Sequence, residues 1–449
     1  MVWRVRIIAL GAVLALLLGP RAARARIWQI NPDGSGEAPT IQAGMDSAQA
    51  GDEVLLARGT YTWTSQGASG ENMLVMKRNV VLRSESGPAV TILDAENRGR
   101  VIQCVNVDEA RIEGLMITRG YSLQPFMAGN GSGINSTGDS RPSIVNCIVT
   151  ANRSFIAFGG GINCEDAAII NCEISNNEAD SGGGLRMVRG SMSMCRVRGN
   201  AVTGDPGGSG GGVIATGAMI SDCLFEENSA FGPFGSDGGG ALIDGGMITR
   251  CTFVRNFAGS ASGTGGAIRC FGSVTISECV FLANVAVGTR FPGVGGAISS
   301  ASGSQVVISR CTLVGNRGVH TSPPHAVPPV GGVYFESGGG TVSTSIIAWS
   351  EGAGCAGSAT FSCTDLYANS LGDAICGIDA GGNFNSDPLL CSTDPVVSRD
   401  VSIRANSACA PGNHPNGFAC DLIGAAGVGC ESVLVKPSTW SEVKSLYRR

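Results

Sequence analysis

The chain has 449 residues, with 31 Lys and Arg against 36 Asp and Glu, 68 glycines, 17 cysteines and a formal net charge of −5. That acidic balance argues against a nucleic-acid partner. Beyond one apolar run near the N-terminus no stretch reaches the length of a membrane span, so no integral membrane segment is expected in the mature chain.

Residues 1–25 combine Arg4 and Arg6, an apolar run over 7–18 and Ala23-Arg24-Ala25 before Arg26, the pattern of a secretory signal peptide with an A-x-A cleavage site. Export is therefore expected, to the cell surface or outer membrane, the periplasm or the medium. Residues 26–120 read as an N-terminal cap and the first coils of a solenoid. A short helix is expected over 41–50, a first strand over 54–56, and further strands near 80–82, 90–93, 101–104 and 111–117.

Residues 121–350 repeat one pattern seven times: a cysteine, an apolar residue two places later and an asparagine five places after the cysteine. The pairs are Cys147 with Asn152, Cys172 with Asn177, Cys195 with Asn200, Cys223 with Asn228, Cys251 with Asn256, Cys279 with Asn284 and Cys311 with Asn316. The copies are 25, 23, 28, 28, 28 and 32 residues apart, and such a period with insertions signals stacked supersecondary units. A small-residue triplet followed by an apolar residue recurs between them, as in Gly182-Gly183-Gly184-Leu185, Gly239-Gly240-Ala241-Leu242 and Gly331-Gly332-Val333-Tyr334. Nearly all length variation falls between the asparagine and this triplet, so insertions leave the same corner of every coil. The intervening text alternates apolar and polar in runs of three to five, which is strand periodicity.

These features predict an all-β fold, a right-handed parallel β-helix with an N-terminal cap and a Cys-rich C-terminal module. Val149, Ile174, Val197, Phe225, Phe253, Phe281 and Leu313, each two after a cysteine, form an apolar ladder facing inward. The cysteines share that parity and face inward too, either as buried thiols or as vertical disulfides. The asparagines are expected to take the left-handed conformation at a corner and to hydrogen-bond the coils above and below. An eighth coil should carry Ile346 in the cysteine's place. Asp222, Arg250, Glu278 and Arg310 directly precede cysteines and predict a solvent-facing stripe of ion pairs.

Phe225-Glu226-Glu227-Asn228, Phe253-Val254-Arg255-Asn256 and Phe281-Leu282-Ala283-Asn284, each followed by Gly-Gly-Ala-Leu or Gly-Gly-Ala-Ile, resemble the FxxN and GGAI repeats of polymorphic outer membrane proteins. The resemblance covers roughly residues 130–345 and implies a β-helical passenger displayed at a cell surface. Thr40-Ile41-Gln42-Ala43, Ala48-Gln49-Ala50-Gly51-Asp52-Glu53-Val54-Leu55-Leu56 and Gly59-Thr60-Tyr61 look like the opening of pectin-lyase-like β-helices. There a short helix caps the first coil and shields its open strand edges.

Residues 351–430 contain Cys355, Cys363, Cys376, Cys391, Cys409, Cys420 and Cys430 among Gly, Asn, Asp and Pro. Local bridges such as Cys363 to Cys376 are expected to staple a small-cored module, with a thiol left over. No C-x-x-C pair with a histidine cluster suggests a metal. In the tail, 431–449, Thr439-Trp440-Ser441-Glu442 reads as a capping box, with Trp440, Val443, Leu446 and Tyr447 on one helical face.

Catalytic signals are sparse. Asp244 and Glu336 hold corresponding places but with Cys270 and Ser300 between them, a separation of about 14 Å at 4.8 Å per coil. That is too far for paired carboxyl chemistry. His320, His325 and His414 lie in Pro- or Gly-rich loops without a nucleophile partner. The corner loops are richer: Tyr121, Phe126, Phe155, Phe158, Phe231, Phe234, Phe257 and Phe291 should line one side of the solenoid. They either fold back onto the coil or form an aromatic strip for sugar rings or a protein partner. No cofactor is expected. Asp180, Asp205 and Asp237 in the same loops could bind Ca²⁺ between coils, with turn formation as the alternative role. The resulting expectation is an exported, non-catalytic, adhesin-like or carbohydrate-binding protein whose partner is a cell-surface glycan or protein. A polysaccharide lyase or glycoside hydrolase of the pectin-lyase-like group is the alternative.

Overall fold

The computed structural model describes residues 25–122, 130–203, 208–321, 328–337 and 339–430. The chain winds as a right-handed parallel β-helix. Among the described residues its strands form a 22-stranded sheet that takes up to two strands per coil, a 12-stranded sheet, an 8-stranded sheet of short strands and a 3-stranded one. The N-terminal cap is the helix Ile41–Ser47, started by Thr40, whose hydroxyl accepts the Ala43 N–H at 3.1 Å. It buries Ile41 and Met45 against the first coil. The stretch expected as one strand over 111–117 is two, Asp108–Glu113 and Met116–Thr118, because Gly114 takes φ +68° and turns the chain.

Two left-handed corners bound each strand of the 12-stranded sheet. The first is the residue before each cysteine, from Asn146 to Arg310, at φ between 49° and 55°. The second is the residue before each asparagine: Ala151, Asn176, Gly199, Glu227, Arg255, Ala283 and Gly315, at 52° to 63°. The asparagines themselves are therefore not the left-handed residues, contrary to expectation. The left-handed residue turns the backbone, and the next side chain is driven into the solenoid.

That placement builds an internal amide ladder. Asn228 donates both its Nδ2 (3.0 Å) and its backbone N–H (3.1 Å) to Oδ1 of Asn256, and the same pair of bonds links Asn152 through Asn316. The seven repeat cysteines are free and buried, so the vertical-disulfide alternative is excluded. They are not merely apolar filler. Each thiol donates to the carbonyl two residues before it, as Cys223 does to Ser221 at 3.0 Å, and several accept the N–H of the preceding cysteine. Burial pushes the Cys147, Cys223 and Cys279 thiols well above their ordinary range, so they stay protonated. Beside them the apolar ladder is fully buried, with Phe225, Phe253 and Phe281 stacked at centroid distances of 4.4 and 5.1 Å.

Two registers differ from expectation. In the eighth coil Ser345, not Ile346, follows the ladder, its Oγ accepting the Cys311 N–H at 3.1 Å and donating to Ser343 O at 2.7 Å. A hydroxyl makes the same corner bonds as a thiol, and Ile346 pairs with Thr312 one place on. In the glycine corners Ala241 and Val333, rather than Leu242 and Tyr334, align with Ile268 and Ile298. The left-handed residue in that coil is Gly238 (φ +66°), which moves the frame back by one.

Strands Ala353–Ala356, Ala359–Ser362, Asp365–Tyr367 and Gly377–Asp379 continue the ladders, so the solenoid runs past the boundary expected at residue 351. From about residue 386 the chain folds back over the outside of the 12-stranded sheet. Leu390, Val401, Ile403, Ala410 and Ile423 pack on the outward side chains of Val254, Leu282, Val314, Ile346 and Ala348. The Cys-rich segment thus shares its core with the solenoid exterior. An ion pair from Arg399 to Glu226 ties its far end down. The expected Cys363–Cys376 bridge is replaced by Cys355–Cys376, Cys363–Cys420 and Cys391–Cys430, with Cys409 free and buried. The fold-back brings Cys420 over the coil of Cys363, which a purely local pairing could not anticipate. The signal peptide and the capping-box tail lie outside the described residues.

Candidate functional site

The corner loops leave the 8-stranded sheet, in which Tyr121 pairs with Arg153 and Phe257 with Ser229. Both rings are half-buried, and that of Phe257 covers Gly259. Phe234 (72 %), Phe231 (57 %) and Phe291 (51 %) are exposed, with the Arg290 guanidinium 5.6 Å from the Phe291 ring centroid, and Phe155 and Phe158 are exposed as well. The Arg186 guanidinium lies 5.4 Å from the Phe158 ring centroid. Phe126 and Asp205 fall outside the described residues, as does His325. The loop aromatics thus divide into two that pack against the coil and five that project.

Beside the loops of Phe231, Phe234 and Phe291 lies a charged cluster that the sequence did not reveal. Asp237 sits on the short strand Ser236–Asp237, directly after the Phe231–Phe234 loop. Arg269 belongs to the outward column Leu242, Arg269, Ser299, Tyr334 of the 22-stranded sheet, and its side chain is almost wholly buried. Its Nη2 donates to Glu336 Oε2 at 2.8 Å, and its Nη1 to Ser299 Oγ at 2.6 Å. Its Nε lies 3.8 Å from Asp237 Oδ1, beyond hydrogen-bond reach, and has no hydrogen-bond partner. Both acids therefore flank one guanidinium. Thr264 also donates its hydroxyl to Asp237. Burial raises the Tyr334 phenol above its ordinary value, with Glu336 adding to the effect.

Asp244 and Glu336, expected at corresponding places three coils apart with Cys270 and Ser300 between, do not share a column. Instead Asp244 pairs with Phe271, while Cys270 and Ser300 pair with the inward Ile243 and Phe335. The partner acid is Asp237, on the loop side of the glycine corner, reached only because Arg269 bridges the coils. An arginine flanked by acids on neighbouring coils was the available signal.

A second outward network lies nearer the N-terminus. Arg186 donates to Asn163 Oδ1 (3.0 Å), Asn163 to Asn135 Oδ1 (2.8 Å), Asn135 to Gln103 Oε1 (3.1 Å), and Arg100 to the same Gln103 oxygen (2.7 Å). Gln103, Asn135 and Asn163 are buried, and each finds its partner within the network. Among the described residues no group of three His, Cys, Asp or Glu side chains could hold a metal ion. Asp237 is engaged with Thr264 and Arg269 rather than with Asp180. The predicted charge stripe consists of separate exposed pairs, Asp222 with Arg250 and Glu278 with Arg310. His414 is structural, bonding Gly382 O at 2.8 Å between the rings of Phe384 and Phe418.

No helix among the described residues is long and apolar enough to cross a membrane. No curated protein matches the chain. The chain is similar, at 14 % identity and a TM-score of 0.45, to a solved structure titled "Crystal structure of pectate lyase Pel9A", over 90 % of this chain and 96 % of that one. The family described as "Right handed beta helix region" matches residues 161–347, the coils in which the cysteine, asparagine and phenylalanine ladders stand.

Proposed function

We propose that the protein is exported and binds carbohydrate without transforming it, as an adhesin-like surface or extracellular protein, through the side bearing the corner loops. The observation that carries this reading is the grouping of exposed Phe231, Phe234 and Phe291 on the coils that hold Asp237, Arg269 and Glu336. Sugar rings stack their apolar faces on aromatic rings, and their hydroxyls bond planar carboxylate and guanidinium groups. The expected surface display also agrees with the repeat resemblance to polymorphic outer membrane proteins. A glycan array run beside depolymerisation assays tests the reading: binding without chain cleavage is expected, and cleavage overturns the non-catalytic part.

The convergence of Asp237 and Glu336 on Arg269 favours a second reading, a polysaccharide lyase or glycoside hydrolase in which these two carboxyl groups act as acid and base. On that reading Asp237→Asn and Glu336→Gln each abolish depolymerisation while leaving polymer binding in place.

A further inference from the structure

Where the folded-back segment meets the solenoid exterior lies a cleft of about 590 Å³, lined by none of the corner-loop aromatics. Val314, Leu390 and Val396 form its apolar floor, Trp349 its aromatic wall, and Asp387 and Arg404 its polar rim. Trp349 is unexpected on local grounds. It occupies the left-handed corner, at φ +54°, where other coils place Ala151, Asn176, Gly199, Glu227, Arg255, Ala283, Gly315 and Ala368. A bulky ring in that conformation is disfavoured, and local strain of this kind collects at functional sites. The indole is 38 % exposed and is held edge-on by the Tyr367 ring at 5.7 Å.

The rim is chemically unspent. The Arg404 guanidinium makes no hydrogen bond or ion pair among the described residues. Asp387 uses Oδ1 to accept the Leu389 N–H at 2.9 Å, and its Oδ2 accepts no hydrogen bond. A flat aromatic wall with an acceptor and a forked donor above an apolar floor matches one face and two vicinal hydroxyls of a pyranose. Asp394 also lines the cleft, so the acids outnumber the arginine and a neutral sugar suits it better than an anionic one.

We propose that this cleft is a second saccharide site, binding a neutral hexose unit with its apolar face on Trp349 and its hydroxyls on Asp387 and Arg404. The ligand class rests on the carbohydrate-binding reading above, whereas the site is separate from the loop face. The test is titration of the full mature chain with maltotetraose, cellotetraose, galactotetraose and mannotetraose, with trigalacturonate as the anionic comparison, followed by tryptophan fluorescence and calorimetry. At least one neutral tetrasaccharide is expected to perturb the fluorescence, with affinity falling about tenfold in Trp349→Ala and in Arg404→Ala. Arg404 is exposed, so its variant should keep the wild-type melting temperature and remains informative if Trp349→Ala folds poorly. Binding that survives removal of the loop phenylalanines but not of Trp349 establishes the cleft even if the loop face proves inert. The proposal is overturned if no neutral sugar binds at about 10 mM, if only trigalacturonate binds, or if both variants bind as wild type.

Discussion

Cys409 donates its thiol to Oδ2 of Asp365 across 3.4 Å, inside the seam between the last coils and the segment folded back over them. The other oxygen of Asp365 accepts the Ser386 N–H at 3.1 Å, and the residue is fully buried. The seam therefore carries a titratable group whose charged form meets no cation among the described residues.

Burial pushes the Asp365 carboxyl up to about 7, with Asp373 and Asp387 adding to the rise. The folded chain keeps a proton that the unfolded chain loses near pH 4, so this group's contribution is complete below about pH 4, falls as pH rises to about 7 and is flat above. The displacement amounts to at most about 4 kcal/mol. Asp365→Asn should flatten the difference in unfolding free energy between pH 5 and pH 8 and raise stability at pH 8. Denaturant melts at the two pH values check this, and an unchanged pH slope would refute it.

Asn256→Ala should destabilise the solenoid by about 3 kcal/mol or more, because it leaves the Asn228 N–H without an acceptor, its Nδ2 with Val197 O alone and Phe225 O without the Asn256 amide, and opens a gap beside Asn284. Urea unfolding measures the effect. A loss below about 1 kcal/mol would mean that water or relaxation repairs the ladder.

Phe231→Ala, Phe234→Ala and Phe291→Ala combined should leave the melting temperature near wild type, since all three rings are exposed. The same variant should lose most glycan binding through the loop face, because several weak stacking contacts act together. Phe257→Ala is the contrast: its half-buried ring covers Gly259, and its loss should cost roughly 1–3 kcal/mol. Retained binding in the triple variant would show that the loops are not the working surface.

Replacing Cys363 and Cys420 by serine removes the bridge that pins the folded-back segment to the solenoid. A loss of about 2–5 kcal/mol is expected, with protease cutting first between residues 386 and 430. Exposure of the outward Val254, Leu282 and Val314 should raise binding of a hydrophobic dye. Uniform proteolysis along the chain would instead mean that the segment and the coils unfold as one unit.

The repeating coil, its inward apolar ladder and the corner from which insertions leave were all legible in the residue pattern. Strand pleating makes parity a local property, so Phe225, Phe253 and Phe281 could be placed without knowing what lay above them. The pattern was less reliable by one residue at the corners. Which residue takes positive φ decides which side chain enters the core, and that put Ser345 rather than Ile346 in the ladder and the left-handed turn before each asparagine. The outward Val254, Leu282 and Val314 are covered by the returning segment, which the repeat pattern did not reveal. That Cys420 meets Cys363, that Asp237 and Glu336 share Arg269 and that Trp349 overlooks a cleft emerge only in the folded chain. Those contacts join residues tens of positions apart. They depend on how loops of unequal length and a returning segment settle on a regular scaffold, which local periodicity does not encode.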